Sequence, residues 1–403
     1  MAQVREAVIV DYLRTAFSRS RPREPERDVF NSERMDDAAA LLIKEILKRT
    51  NVKPEDVDEL IAGTAQPWGE QMMFGGKNIA FLAELPVSVA SHHIDRQCGS
   101  SMATIHTAAM GIMLGYSDVV FSCGIEHMTH NPMGGGGSEA SPVKPNMKLV
   151  MDPKYAKYEF MTAMNMGLTA EKLGRHAKIS REDMDRFSYR SHQLATKALK
   201  EGYFKGEILP LEVTLADGKK VIIDTDQSIR SDTTIEGLAQ LKPAYTPDGP
   251  ITAGNASPLN AGATAMLLMS REAAQKRGLK PLASIVSMGW AGVDPSMMGM
   301  GPVPATRKAL KSAGMEVKDI DFWEINEAFA VVPLYAIQQL GIDINKVNVK
   351  GGAVALGHPL GASGTRLVGT LARILNTEGG MYGLATPCVG GGQGVATIIK
   401  REG

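Results

Sequence analysis

The sequence predicts an α/β fold made of two copies of one unit, with a separate segment inserted between them. Three observations carry this. First, LKRTNVKPEDVDELI (47–61) returns as LKSAGMEVKDIDFWE (310–324): Leu47, Lys48, Asp56 and Asp58 recur as Leu310, Lys311, Asp319 and Asp321, each 263 residues on. Second, each copy alternates short apolar runs with helical patterns, as expected for helices packed on mixed or parallel sheets. Third, about residues 128–250 have no partner in the repeat.

Taken in order, Ala7–Asp11 predicts an opening strand whose counterpart is Ala283–Ser287, at an offset of 276. The extra 13 residues fit a loop around Arg14–Phe30, rich in Pro, Arg and Glu. Helices ending in Leu-Lys then lead through a polar turn into strands at Val57–Ile61 and Ile320–Ile325. Ser88–His93 reads as extended and Ser100–Leu114 as a buried helix, apolar on several faces. Val119–Cys123 pairs in the repeat with Tyr382–Thr386. The middle opens on a loop signal, Pro132 to Gly137. It continues into a helical section, Met166 to Gly202, where Ser180 is the expected N-cap and Asp183 its partner three residues on. The expected division is residues 1–128 as one α/β copy, completed by about 258–281, then 129–257 as an inserted domain over the site, and 282–403 as the second copy.

Composition narrows the function classes. Lys and Arg total 44, as do Asp and Glu, so no global field draws nucleic acid or an anionic membrane. Between Lys172 and Lys205, nine basic residues face four acidic ones, which reads as a solvated helical face as readily as a phosphate-facing patch. Three cysteines, Cys98, Cys123 and Cys388, cannot all pair, which argues for a reducing compartment and against a disulfide scaffold. No apolar stretch approaches the ~18 residues of a membrane span, and Met1–Phe17 lacks a secretory apolar core. A cytoplasmic home is the expectation, with no metal.

Four segments carry chemistry. Asp95-Arg96-Gln97-Cys98-Gly99-Ser100-Ser101-Met102 places a cysteine where a buried helix begins. Unpaired amides and the macrodipole at that end favour a thiolate, so a depressed Cys98 pKa is expected; a structural core cysteine is the bland alternative. NVKGGAVALGHPLGASG (348–364) holds His358 between Gly357 and Pro359 in a rigid loop, suited to a base or hydrogen-bond donor. The same loop could cradle phosphate, but its spacing matches neither a Walker loop nor G-x-G-x-x-G. Pro387-Cys388-Val389-Gly390-Gly391-Gly392-Gln393-Gly394 puts a second cysteine at a strand end beside backbone amides that can aim at an anion. Glu324-Ile325-Asn326-Glu327-Ala328 follows a strand, with Asn326 either a helix N-cap or an amide that orients a water or a carbonyl.

In order, spacing and wording, these segments resemble the thiolase family, from VDYLRTAF to the last strand Val395–Ile399. GIEHM (124–128) and the segment 166–192 are most similar to degradative bacterial 3-ketoacyl-CoA thiolases. The resemblance implies a thiolase-like fold, with five-stranded mixed sheets and helices in αβαβα layers plus an inserted loop domain. It implies an acetyl-CoA C-acyltransferase that cleaves 3-ketoacyl-CoA in fatty-acid β-oxidation, reversibly, with coenzyme A as cosubstrate and no permanently bound cofactor. A condensing acetoacetyl-CoA thiolase is the alternative.

Cys98 matches the acyl-accepting nucleophile, His358 its base and Cys388 the second acid/base. Asn326 with His358, and the amides of Cys98 and Gly390, match two oxyanion holes. Ser257, Arg230 and Met166 fall at positions expected around the coenzyme and acyl chain. A homodimer or homotetramer is implied, and a hydratase/3-hydroxyacyl-CoA dehydrogenase subunit as a partner. Ketosynthases lack a catalytic cysteine in the last glycine-rich loop, so Cys388 argues against that reading. A Cys–His hydrolase would release a free acid without coenzyme A.

Overall fold

The computed structural model describes residues 4–71, 74–133 and 145–402; the predicted loop at Gly134–Gly137 lies outside them. The strands are β1 (Ala7–Arg14), β2 (Ser18–Arg19), β3 (Glu59–Gly63), β4 (Ala90–Ile94), β5 (Val119–His127), β6 (Leu211–Thr214), β7 (Lys220–Ile223), β8 (Asn260–Ser270), β9 (Ala283–Gly292), β10 (Phe322–Ile325), β11 (Tyr382–Thr386), β12 (Cys388–Val389) and β13 (Gln393–Arg401). All but the hairpin β6–β7 join one sheet, in the order β10-β11-β13-β9-β1-β8-β5-β3-β4, with β2 added to β8 and β12 to β13.

That order is the repeat made visible. β4-β3-β5-β8-β1 is one copy and β10-β11-β13-β9 the other, meeting where β1 pairs with β9. The seam pairs Val8 with Ser284 and Ile9 with Ala283. Ser284 is the repeat equivalent of Val8, so a pseudo-twofold axis passes between a residue and its own counterpart. The fifth position of the second copy is reduced to a bridge, Trp323 to Val347. There the Asn348 side chain takes over the ladder, accepting from Ile325 N (2.9 Å) and donating to Ile325 O (2.8 Å).

Alternation along the strands sorts side chains into layers. Ile9 and Tyr12 of β1, with Val395 and Ile399 of β13, face a central core shared by the helices Ser100–Met113 and Ser363–Glu378. Val8, Val10 and Leu13 face the outer helix Met35–Thr50, where Leu42, Ile43 and Ile46 are fully buried. Each such side chain is worth ~1.5–3 kcal/mol of transfer. Ala396 and Ile398 face the opposite outer layer, built from Pro302–Ala313 and Val331–Leu340.

The middle segment is tied to the first copy by a fully buried ion network. Arg14 contacts Glu207 (2.7 Å) and, with two nitrogens, Asp226 (2.7 and 2.9 Å). Breaking such a network strands a buried charge, typically at ~3–5 kcal/mol. The predicted helical section divides into Met166–Ala177 and Arg181–Lys200, and Ser180 caps the second in a capping box with Asp183.

Candidate active site

Cys98 sits on a single turn, Gln97–Gly99, between β4 and the central helix Ser100–Met113. Gln97, just before it, is left-handed (φ 46°), a conformation unusual for a residue with a side chain. Local bonds hold it: Gln97 N donates to Asp95 Oδ1 (2.8 Å), and Arg96 N to Ser100 Oγ (2.9 Å). The amides of Gly390 and of Cys98 itself point at the Cys98 sulfur.

His358 lies between the short helix Ala353–Leu356 and the turn Leu360–Ala362 that opens the second central helix. Its backbone N–H donates to Asn260 Oδ1 (2.7 Å). Its Nδ1 is 2.6 Å from Ser363 Oγ, and that hydroxyl donates to Pro359 O (3.0 Å). The hydroxyl proton being committed, Nδ1–H must be the donor to Ser363. This leaves Nε2 unprotonated, its lone pair facing the Asn326 amide, and able to take up a proton.

Asn326 is at the end of β10, where its N–H donates to Thr386 O (3.0 Å), and its Nδ2 lies 3.3 Å from His358 Nε2. It is not a helix N-cap. The next helix starts at Val331, because Glu327 is buried in between, accepting from Ser191 Oγ, Asn348 Nδ2 and Val354 N. Cys388 occupies β12, paired with Gly394, fully buried.

Cys98, His358, Ser257 and Met166 line one cavity of about 360 Å³, whose walls add Met128, Met164, Met298, Tyr245 and Phe329. Asn165 also faces it and caps the helix behind Met166, accepting from Leu168 N (3.2 Å). Cys388 is not on that wall. Burial raises the pKa of its thiol, and it lies close enough to Cys98 for that thiolate to add to the rise. Arg230 lines a neighbouring cavity of about 310 Å³ with His192, Thr233 and Gly237. Pro258 is common to both.

Electrostatically the resting pair is neutral. Burial pushes the Cys98 thiol up to about 12, outweighing the two amides aimed at it, and the Glu126 charge adds to the rise. The expected depression therefore does not occur: the turn is enclosed, and desolvation exceeds the helix-terminus field. Burial, with the charge of Arg366, pulls His358 down to about 3. Arg366 is itself paired with buried Glu324 (2.6 Å), whose carboxyl burial raises to about 8.

Glu126 and Asn260 escaped the sequence reading. The Glu126 carboxylate accepts from Ala65 N (2.8 Å), Gly361 N (2.8 Å), Thr64 Oγ1 (3.0 Å) and Gln71 Nε2 (2.7 Å). It thereby joins the Cys98 side of the site to the His358 loop. Its signal was present: a lone carboxylate in the apolar run VVFSCGIEH must be satisfied internally. Asn260, at the head of the apolar strand β8, carried the weaker form of the same signal.

Similarity to known proteins runs along nearly the whole chain. The family model for the thiolase N-terminal domain matches residues 7–272, and that for the thiolase C-terminal domain matches 279–401. The chain is 45% identical to a 3-ketoacyl-CoA thiolase of Aliivibrio fischeri, covering 99% of this chain and 100% of that one. It is 43% identical to another of Marinomonas sp., covering 98% of each. Human mitochondrial 3-ketoacyl-CoA thiolase superposes with a TM-score of 0.87 at 34% identity, covering 99% of this chain and 100% of that one. Bacillus anthracis acetyl-CoA acetyltransferase does so with 0.87 at 37%, covering 100% of both. With both family models matched along nearly its whole length, this chain belongs to the thiolase family.

Proposed function

We propose that this enzyme cleaves 3-ketoacyl-CoA with coenzyme A, giving acetyl-CoA and a shortened acyl-CoA in fatty-acid β-oxidation. The observation that carries the reading is the juxtaposition at one cavity of the Cys98 sulfur, two amides aimed at it and a histidine with an unprotonated Nε2 beside Asn326. Relatives named 3-ketoacyl-CoA thiolase support the choice of substrate.

His358 Nε2 takes the Cys98 proton as the sulfur attacks C3 of the substrate. The new oxyanion develops next to that sulfur, where the Cys98 and Gly390 amides receive it; one such donor is worth ~2.7–4 kcal/mol. The C2–C3 bond then breaks and its electron pair passes into the acetyl-CoA enolate, whose oxygen Asn326 and His358 stabilise. Cys388 delivers a proton to C2 and acetyl-CoA leaves. The Cys388 thiolate next takes the proton of the incoming coenzyme A thiol, whose sulfur displaces the acyl group from Cys98; His358 returns the first proton to Cys98. This is covalent, ping-pong catalysis. Ser257 lies along the pantetheine arm, Arg230 at the adenine and Met166 at the acyl chain.

In the same reading residues 129–257 form a domain over the site, coenzyme A is the cosubstrate, and no other group is permanently bound. The enzyme works in the cytoplasm as a homodimer or homotetramer, with a hydratase/3-hydroxyacyl-CoA dehydrogenase subunit as partner. Among the described residues, no helix is long and apolar enough to cross a membrane. The test is thiolysis of C4 to C16 3-ketoacyl-CoAs. Acetyl-CoA must appear in step with a product two carbons shorter, and only when coenzyme A is supplied. Release of a free acid without coenzyme A would overturn the reading.

A further inference from the structure

One sequence feature remains without a role: the Arg- and Pro-rich loop after β1. Arg19, Arg21 and Arg23 line a third cavity, which shares Pro258 and Leu259 with the cavity of Cys98, and Arg19 and Pro258 with that of Arg230. Four guanidinium groups, including Arg230, therefore surround one opening. None has a side-chain hydrogen bond or ion pair among the described residues. Arg21, Arg230 and Arg27 all act on the partly buried Arg19 in the same direction as its burial, lowering its pKa.

Two carboxylates share these cavities: Glu24, which pairs with Arg27 (2.7 Å) and is also lowered by the charge of Arg21, and Asp232, which has no ion pair among the described residues. The four guanidinium groups outnumber them. Like charges gathered at one opening favour an anionic occupant.

The loop is also fixed in place. Ser18 and Arg19 pair with Ala261 and Asn260, Ser20 N donates to Leu259 O (2.8 Å), and Arg21 N to Thr129 Oγ1 (2.8 Å). Asn260 donates to Ser18 O (2.6 Å) with the same side chain that accepts from His358 N. The arginines are thus held at a set distance from the catalytic histidine.

We propose that Arg19, Arg21 and Arg23, beside the adenine-facing Arg230, form a phosphate clamp for the nucleotide half of coenzyme A. This rests on the coenzyme A reading above. It adds that the loop of the first copy, opposite the inserted segment, supplies most of the positive charge. Arginine suits the task because its planar donors engage phosphate oxygens two at a time. The half-buried Arg19 and Arg21 flank one side of the ligand, and the exposed Arg23 the other.

Isothermal titration of the full chain with coenzyme A, 3′-dephospho-coenzyme A and pantetheine tests this in the wild type and in R21A/R23A, two surface changes away from the core. The clamp requires the variant to weaken coenzyme A at least tenfold while pantetheine affinity moves less than twofold. It also requires the gap to shrink as salt rises. A tenfold loss for coenzyme A but not for the dephospho form assigns the arginines to the 3′-phosphate; equal losses assign them to the diphosphate. Either result supports the clamp. Unchanged coenzyme A affinity in R21A/R23A, or an equal loss for pantetheine, overturns it. A wild type that binds no coenzyme A would instead overturn the functional reading itself.

Discussion

Two helices run side by side through the centre of the molecule, and they are counterparts in the repeat: one begins at Ser100, the other at Ser363. The same architecture serves two purposes. In the first copy the turn ahead of the helix carries Cys98; at the equivalent place in the second copy stands Gly361. A Cβ on Gly361 would lie 2.5 Å from Ile125 O and from the Thr64 Cα, so this turn is built for close approach and docks against the first copy. Strand ends differ in the reverse sense. Asn326 ends β10 beside His358, whereas its counterpart Gly63 ends β3, where a Cβ would meet the Ser100 backbone at 2.8 Å. Each copy thus contributes a side chain to the proposed site at the point where the other contributes a glycine. The lesson is that duplication supplied the frame, and divergence at matched positions supplied one shared site.

The largest effect that can break this comparison is at the proposed nucleophile. Cys98→Ser removes the acyl-enzyme, and turnover falls by ~10⁵–10⁶-fold, the scale seen when a covalent nucleophile is lost. Cys388→Ala also stops thiolysis, yet leaves Cys98 open to alkylation, as mass spectrometry of labelled protein can show. If both variants behave alike in labelling, the two sulfurs do not have separate duties. A smaller effect comes from converting the second copy's strand end to the first copy's: Asn326→Gly lowers kcat by ~10²–10³-fold, the cost of one oxyanion donor. Retention of kcat in that variant would place the donor elsewhere.

The smallest effect concerns charge. Cys98 lies up near 12 and His358 down near 3. Between pH 6 and 9 the histidine stays neutral and the thiolate fraction stays small but grows. Labelling of Cys98 by iodoacetamide should therefore climb by about tenfold per pH unit without a plateau. A plateau below pH 7 would mean a preformed thiolate–imidazolium pair.

Much of this was legible in the primary structure, for identifiable reasons. The repeat was visible because both copies keep the same turn, with aspartates recurring at 56 and 319 and at 58 and 321. The N-cap at Ser180 was visible because capping is local chemistry. Less visible was anything set by long-range packing. The sign of the Cys98 shift depends on how tightly Leu360, Met128 and Ala65 enclose it. The isolation of Cys388 from the cavity depends on β12 joining β13. The anchoring by Glu126 and Asn260 joins residues 235 and 98 positions apart. In each case a local motif names the residue, and only the fold decides its solvent.

The seam between β1 and β9 has a consequence for how the molecule can be divided. Cut after the helix Arg271–Lys276, the second part would lose β1 and bare the backbone of β9 along an open edge. Because Val8 and Ser284 are each other's counterparts, the partner best shaped to cover that edge is another molecule of the same fragment. Such a fragment would self-associate around a genuine dyad where the intact chain has an approximate one. It would join two glycine-bearing helix turns and no nucleophile.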